Sequence, residues 1–427
     1  MGDRDVALLQ TSSLYRSMEV LLDFFLVVLV VILPFEKRTA MIVNTGLYGA
    51  LGLIVILALA RRTNIRIRTP LDLPIFALVL VAVVSTLFSV DPLVSLKSIH
   101  RTLIQFLLVY YLVIYAANSM QRVKLLAFAF VAGSVPVSIY GIFTFFSKEG
   151  LLDGRVHSTF YHPTRLANYL VFVVAISLLL EAHYRSRKAL QVGFSIVFAL
   201  ASLCLVGTAS RGATLGLLLG FLIVFGPRKR WLWLMLAVIV AASIAIVPFQ
   251  SKHLHFIKVA ECFSKRIDVN MLLGERRLLW QSGMRMIKDH PVIGIGYGKT
   301  FNLLYKSAYA PRGATQDHSS AHNIFLEFAL EMGPLGLTVF LWLHIMIFVS
   351  GFRLVRRRLR PNTFARALAA GILIGLIGVT FNGLANYFYK DRLILIYWLF
   401  VGIIFSLNRM ASRDHVAGPA SLKGSAV

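Results

Sequence analysis

The residue best suited to acid–base chemistry is His322, near the end of a long polar stretch that reads Asp317-His318-Ser319-Ser320-Ala321-His322-Asn323. An apolar helical pattern follows, and Ser320 is placed to cap that helix, which would put His322 in its first turn. The positive end of a helix disfavours imidazolium, so a histidine there can accept a proton from a hydroxyl group, as a general base must. Exposed histidines at helix ends more often have no chemical role, and position alone does not assign one.

The second group of candidate residues is basic. The chain has 44 Lys and Arg against 19 Asp and Glu, a formal net charge of +25. About half of this excess falls in short loops that the distribution of positive charge assigns to the cytoplasmic side of a membrane. The other half faces outward, where topology does not require it, and an outward basic surface suits a ligand that carries phosphate. These outward residues are Lys97, Arg101, Lys148, Arg155, Arg165, Arg211 and a series from Lys252 to Arg312.

The elements that must position these residues are membrane helices. Hydrophobic residues make up 58% of 427 and charged residues 15%, and apolar runs long enough to cross about 30 Å of hydrocarbon recur along the chain. Because the runs are continuous rather than alternating, we expect an all-α polytopic membrane protein and not a barrel. We predict about twelve spans, centred near Val28, Leu51, Val79, Leu107, Ala132, Val174, Phe198, Leu218, Val238, Phe340, Leu373 and Tyr397.

The loops predict orientation and organisation. The even-numbered connections are rich in Arg and Lys, so both termini are expected in the cytoplasm, and the first apolar run has no cleavage site and should remain as a span. We expect four parts: nine spans over 1–249, a large outward loop over 250–320, three spans over 321–408 and a cytoplasmic tail over 409–427.

The large outward loop contains two patterned stretches. From Arg276 the residues Leu279, Gly283, Met286 and Ile287 recur on one helical face, which predicts an amphipathic helix lying on the membrane. A glycine-rich turn, Asp289-His290-Pro291-Val292-Ile293-Gly294-Ile295-Gly296-Tyr297-Gly298, follows it. It lacks the spacing of a nucleotide-binding loop.

The most specific pattern begins at His322. A His followed by Asn, nine further residues, Gly, two residues and Gly occurs as His322, Asn323, Gly333 and Gly336. This pattern matches the signature of O-antigen ligases at every position. The chain also resembles the superfamily of O-antigen ligases and polymerases in the hairpin Thr208-Ala209-Ser210-Arg211-Gly212-Ala213 and in the stretch 276–298, so that the resemblance covers most of 154–336. It departs from the family at Tyr161-His162-Pro163-Thr164-Arg165, where members often have Asn-Pro-Asn, and this leaves a donor-contact role for that loop open.

The resemblance implies a reaction. It implies transfer of a glycan from undecaprenyl pyrophosphate to a sugar of the lipid A-core, on the outer face of the inner membrane of a Gram-negative bacterium, with His322 as the general base. The outward loops contain no Asp-x-Asp pair, so we expect arginine forks rather than a metal ion to hold the leaving pyrophosphate, and no cofactor. The candidates are Arg211 first, then Arg276 and Arg277, which the sequence does not separate, then Arg101, and finally Arg285 and Arg155.

Several alternatives stay open. A polysaccharide polymerase would share the scaffold, the arginines and the carrier, and would differ in the acceptor. A lipid-linked glycan flippase or other transporter would place its polar groups near the middle of the bilayer. His318 and His322 stand four apart, but a zinc site is not expected because no third ligand suggests itself. Glu327 and Glu331 are expected to pair with a cation such as Lys390 or Arg392. A single base without a nucleophilic carboxylate favours one-step inversion. No nucleic-acid partner is expected.

Overall fold

The computed structural model describes residues 13–36, 39–61, 68–149, 151, 152, 154–226, 275–298, 300–311, 318, 320–356, 364–389 and 392–416. Within these ranges the chain is helical, and its one β feature is an isolated bridge between Leu152 and Arg155. The helices are α1 (Ser13–Ile32), α2 (Ala40–Arg61), α3 (Asp72–Leu87), α4 (Pro92–Ala116), α5 (Met120–Ser147), α6 (Pro163–His183), α7 (Lys188–Gly207), α8 (Arg211–Phe225), α9 (Glu275–Asp289), α10 (Thr300–Leu304), α11 (Ile324–Arg356), α12 (Phe364–Asn382) and α13 (Leu393–Val416).

The expected class of all-helical, multi-pass membrane protein is confirmed. Among the described residues, seven helices are long and apolar enough to cross a membrane: α4, α5, α6, α7, α11, α12 and the first part of α13. Part of α2 and all of α3 and α8 are also apolar, but these segments are shorter than the seven spans. Each predicted span centre except one lies in a helix, and that one, Val238, lies outside the described residues. The count of twelve spans therefore stays a prediction.

Helices α8 and α12 pack closely along glycines spaced four residues apart on α8. A Cβ atom at Gly216 would lie 2.3 Å from the carbonyl oxygen of Gly378, and one at Gly220 would lie 2.6 Å from that of Ile374. Small residues permit this approach of two backbones, which is how helices gain packing energy where lipid competes for apolar contacts. The same register brings the beginning of α8, which carries Arg211, to the end of α12.

Helix α11 is broken at Gly333, which has φ +69° and ψ −172°. Pro334 follows and has no N–H, so the carbonyl of Leu330 loses its usual helical donor. A Cβ atom at Gly333 would lie 2.1 Å from the carbonyl oxygen of Val292, which explains in physical terms why this position of the motif is glycine.

The glycine-rich segment, residues 293–298, supplies the donors that the break in α11 removes. Its Ile295 N–H donates to the Leu330 carbonyl at 2.9 Å, and its Gly296 N–H donates to the Glu331 carbonyl at 3.1 Å. The Ser85 hydroxyl from α3 also donates to the Glu331 carbonyl, at 2.6 Å. A Pro–Gly break in a membrane helix is tolerated because neighbouring groups satisfy the freed carbonyls in this way.

Helix α9 confirms the predicted amphipathic helix. Leu279 and Met286 on its apolar face are 2% and 0% exposed. A Cβ atom at Gly283 would lie 3.1 Å from Leu326 and 3.2 Å from Leu330, both on α11. The expectation that this face lies on the membrane was therefore wrong, because α11 covers it.

Candidate active site

His322 lies just before α11 rather than in its first turn. Asn323 caps the helix, because its side-chain oxygen accepts from the N–H groups of Phe325 at 3.0 Å and Leu326 at 3.1 Å. These are the donors at the second and third helical positions that an N-cap residue satisfies. The prediction that Ser320 caps α11 was wrong, since Asn323 is closer to the helix and has the same capping chemistry.

The His322 turn, residues 320–323, is held in an uncommon backbone conformation. His322 has φ +50°, a left-handed geometry that costs a non-glycine residue about 1 kcal/mol or more. On one side the Ala321 N–H donates to the carboxylate of Glu327. On the other the Ile324 N–H donates to the Gly383 carbonyl at 2.8 Å. These two contacts fix the half-buried histidine next to the positive end of α11.

The Arg211 turn, residues 208–212, packs closely against Asn382 at the end of α12. A Cβ atom at Gly212 would lie 2.2 Å from the side-chain oxygen of Asn382. Asn382 is buried and donates to the side-chain oxygen of Asn168 on α6 at 2.7 Å. Asn382 and Gly383 are consecutive, so one short stretch of chain positions both the Arg211 turn and the His322 turn.

Arg276 lies close enough to Arg211 for their charges to interact. Arg276 is in the first turn of α9 and its surface is exposed, but crowding protein atoms desolvate its guanidinium. This desolvation, followed by the positive charge of Arg211, lowers the pKa of Arg276. Two like charges held together favour an anion between them. Arg277 is the next residue, is also exposed, and stays a predicted phosphate contact.

The structure places two other predicted arginines differently. Arg155 is next to the Arg211 turn, because its Nε donates to the Thr208 carbonyl at 2.8 Å. Arg285 donates to the Tyr309 carbonyl at 3.1 Å and so ties α9 to the π-helical segment Tyr305–Tyr309. It lies nine residues beyond Arg276, or about 13 Å along the helix axis, and it stays a predicted phosphate contact.

Arg101 lines a cavity of about 270 Å³ between α4, the glycine-rich segment and the residues that follow α12. None of the residues lining this cavity belongs to α8, α9 or the His322 turn. Arg276 and Arg155 therefore lie beside the Arg211 turn, whereas Arg101 lines a cavity that none of the other five predicted arginines lines.

The two buried glutamates of α11 have described contacts with neutral groups, and a pairing with Lys390 stays a prediction. Glu331 accepts from the Tyr387 hydroxyl at 3.3 Å, and Glu327 holds the His322 turn as described. Arg392 donates instead to the Thr39 hydroxyl at 2.8 Å, so it was the wrong partner, and Lys390 lies outside the described residues.

Sequence reasoning also missed the positioning role of the buried asparagines at the end of α12 and on α6. A polar side chain inside an apolar run was the available signal. Among the described residues, no group of three His, Cys, Asp or Glu side chains could hold a metal ion. The described side chains at this end of the bundle include guanidinium, amide and imidazole groups, which suit an anion and a hydroxyl group, and the buried Glu327 carboxylate, which accepts from the Ala321 N–H.

The fold and site define a class: a multi-pass helical membrane protein with a histidine and arginines gathered at one end of its bundle. Residues 196–341 match the family model described as O-Antigen ligase. The match runs from α7 into α11 and includes both turns, α9 and the glycine-rich segment. It confirms the resemblance of this part of the chain to the O-antigen ligase/polymerase superfamily, whose members are glycosyltransferase-like enzymes. No curated protein matches the chain.

Proposed function

We propose that the protein is an O-antigen ligase, which transfers a glycan from undecaprenyl pyrophosphate to the lipid A-core oligosaccharide during lipopolysaccharide synthesis. The observation that carries this proposal is that the Arg211 turn packs against Asn382 while Ile324, directly after the His322 turn, donates to the carbonyl of the next residue, Gly383. A candidate base and a candidate anion site therefore lie at the same end of the bundle.

In the proposed mechanism, His322 accepts the proton of the acceptor hydroxyl. The hydroxyl oxygen forms a bond to the anomeric carbon of the donor glycan while the bond from that carbon to the pyrophosphate oxygen breaks. One displacement of this kind inverts the configuration of the anomeric carbon. The positive end of α11 lies beside His322, and such an end favours a neutral imidazole, the form that a general base requires.

Arg211 and Arg276 would hold the leaving pyrophosphate. Their mutual repulsion is relieved when an anion lies between them, and their charge is permanent at any relevant pH. Such pre-positioned cations stabilise charge that grows on the leaving group, which typically contributes about 100-fold to 1,000-fold in rate per group. Arg277 and Arg155 are proposed as further contacts to the same pyrophosphate.

The proposed location of this reaction is the outer leaflet of the inner membrane. The basic loops that favour cytoplasmic termini also favour an outward position for both turns. Donor and acceptor are both lipids, so each would reach the site sideways from that leaflet.

The first experiment is a transfer assay with the purified full chain, undecaprenyl pyrophosphate-linked glycan and lipid A-core, in the presence of EDTA. We expect wild-type activity to survive the chelator and His322→Ala to lose about 100-fold to 10,000-fold of it, as removal of a general base does. His318→Ala is the matched control, since its ring lies 6.3 Å from that of His322, and it should retain activity.

Three outcomes contradict parts of the proposal. Full activity of a folded His322→Ala variant would remove the histidine from the mechanism. Loss of activity with EDTA would require a metal ion. If the wild-type protein lengthens the glycan on its lipid carrier but does not transfer it to lipid A-core, the protein is a polymerase instead.

A further inference from the structure

The cavity that contains Arg101 is built around an irregular turn of α4. Residues Ile99–Ile104 form a π-helix inside α4, and such wide turns occur frequently at functional sites. Lys97 and Arg101 both line the cavity and are exposed. They stand four residues apart, which places two cations on the same side of the helix.

Among the described residues, the acid nearest to this cavity in the hydrogen-bond network is Glu331, behind its Tyr387 wall. No aspartate or glutamate lines it. In the part of the chain that the structure describes, the ion pairs join Arg122 to Glu19 and Asp23, and Arg165 to Glu36, and neither Lys97 nor Arg101 pairs with a carboxylate. Two cations in a concave site with low-polarity walls attract an anion, and a phosphate group can accept bonds from both.

The opposite wall of the cavity is aromatic. It consists of Tyr297, Tyr387 and Tyr389. The rings of Tyr387 and Tyr389 are nearly parallel, with an interplanar angle of 12°, and the Tyr297 hydroxyl lies 3.2 Å from that of Thr102 on α4. These tyrosine side chains are 1% to 8% exposed, so the wall offers a small, rigid apolar surface, which suits contact with the C–H groups of a single sugar ring.

The glycine-rich segment fixes Tyr297 against α4. Gly298 has φ +99°, and a Cβ atom there would lie 2.2 Å from that of Ser98. This close approach makes Tyr297 part of the cavity wall. The volume of about 270 Å³ is just below the roughly 300 to 1,000 Å³ of sites for drug-sized ligands, which suits one sugar residue and its phosphate.

We propose that this cavity binds a phosphorylated sugar of the acceptor lipid, at a subsite distinct from the Arg211–Arg276 pair. The assignment to the acceptor rests on the proposed function. The pyrophosphate of the donor must lie beside the carbon that is attacked, near Arg211, Arg276 and His322, and none of these residues lines the cavity. The cavity is nevertheless connected to the His322 segment of α11, because Tyr387 donates to Glu331.

The test measures binding rather than turnover, using the purified full chain in detergent. The probes are glucose 6-phosphate, glucose as its unphosphorylated control, and farnesyl pyrophosphate as a short isoprenoid pyrophosphate. We expect the double variant Lys97→Ala/Arg101→Ala to raise the Kd for glucose 6-phosphate at least tenfold, as loss of charge-assisted bonds does. The Kd for farnesyl pyrophosphate should not change, whereas Arg276→Gln should raise it.

Two control variants keep the test specific. Lys288→Ala removes an exposed lysine from the last turn of α9, outside the cavity, and should leave both Kd values unchanged. Lys97→Arg/Arg101→Lys keeps the positive charges and should bind glucose 6-phosphate within a few-fold of the wild-type protein. The thermal unfolding curve of each variant checks that the protein is folded.

The proposal is overturned if wild type does not bind glucose 6-phosphate more tightly than glucose, or if the double variant binds it equally well. It is also overturned if the double variant loses farnesyl pyrophosphate and keeps glucose 6-phosphate, because the cavity would then belong to the donor. Failure of the proposed function is recognised separately: transfer to lipid A-core would be absent while this binding pattern persists, and the cavity would remain a phosphosugar site with another acceptor.

Discussion

The first segment of α11 lies between two breaks in helical geometry, and the two are stabilised in different ways. At the His322 turn, side chains hold the backbone: Asn323 caps the helix, and Glu327 accepts the N–H of Ala321. At the Gly333 kink, the backbone of the glycine-rich segment donates to two freed carbonyls. The motif from His322 to Gly336 therefore serves two purposes. The turn presents the His322 side chain, and the kink joins the glycine-rich segment to α11. Changes at the kink should affect folding first, and changes at the turn should affect activity first.

The largest effect is expected for Gly333→Ala. The backbone angles of Gly333 fall in a region that almost only glycine adopts, and the new Cβ would meet the Val292 carbonyl. We expect loss of about 3 kcal/mol or more of stability, and with it most of the folded yield. Fluorescence-detected gel filtration and thermal unfolding measure this. Gly226→Ala is the matched control, because Gly226 has φ +65° and ψ −175° but nothing within 4 Å of a Cβ; an equal loss in both variants would mean that backbone strain alone accounts for the effect.

The second-largest effect is expected for Arg276→Gln, which should change activity rather than folding, as expected for changes at the His322 turn. Removing one cation from the pair should lower kcat/KM for glycan transfer about 100-fold. The melting temperature without ligand should not fall, because the repulsion with Arg211 is relieved. Lys288→Gln on the same helix serves as the control and should retain full activity. A variant that unfolds, or that transfers glycan at the wild-type rate, would contradict the role given to Arg276.

A smaller effect is expected for Asn323→Ala, which removes the cap of α11. Loss of an N-cap side chain costs about 1 kcal/mol, and chemical denaturation of the purified variant can measure it. Asn323→Asp keeps an oxygen at the same place and should recover most of the stability. If the aspartate variant is as unstable as the alanine variant, the cap is not what Asn323 contributes.

The smallest effect is expected for Ser85→Ala, at the kink. The Glu331 carbonyl would lose the Ser85 hydroxyl but keep the N–H of Gly296, so the cost should be about 0.5 to 1 kcal/mol. Ser138→Ala is a useful comparison, since the buried Ser138 hydroxyl has no hydrogen-bond partner in the described part of the chain. Ser138→Ala should cost less than Ser85→Ala, and the reverse order in thermal unfolding would contradict the contribution assigned to Ser85.

Local patterns predicted much of this architecture. Apolar runs predicted the helices, the spacing of Leu279, Gly283 and Met286 predicted α9, and the motif from His322 to Gly336 predicted the resemblance that the family model confirms. The break in α11 was not predicted, although Pro334 is a local signal for one. These features depend on residues close together in the chain, for which period and residue type carry the information.

The features that were missed depend on distant contacts. Ser320 and Asn323 are both good capping residues, and the choice between them follows from the left-handed backbone of His322, which Gly383 and Glu327 stabilise. The separation of Arg101 from Arg276 has a similar origin, because both are outward arginines in the sequence and only the packed helices place them in different sites. The hydrogen bond from the Ile295 N–H to the freed Leu330 carbonyl was also not predicted, because it joins residues that are far apart in the chain.

The Arg211 turn and the His322 turn both lie against the same short stretch, Asn382 and Gly383. This arrangement affects how the protein responds to the thickness of the bilayer. Membrane helices respond to a thinner or thicker bilayer by changing their tilt. Arg211 precedes Gly212, which packs against Asn382, and His322 lies two residues before Ile324, which donates to the Gly383 carbonyl. Since both contacts are made to the same end of α12, we expect a change in tilt to move Arg211 and His322 together and to preserve their separation. We therefore expect the transfer rate, measured in vesicles of phospholipids with different acyl-chain lengths, to vary little over the range in which the protein inserts. A steep dependence on chain length would mean that the two turns move independently.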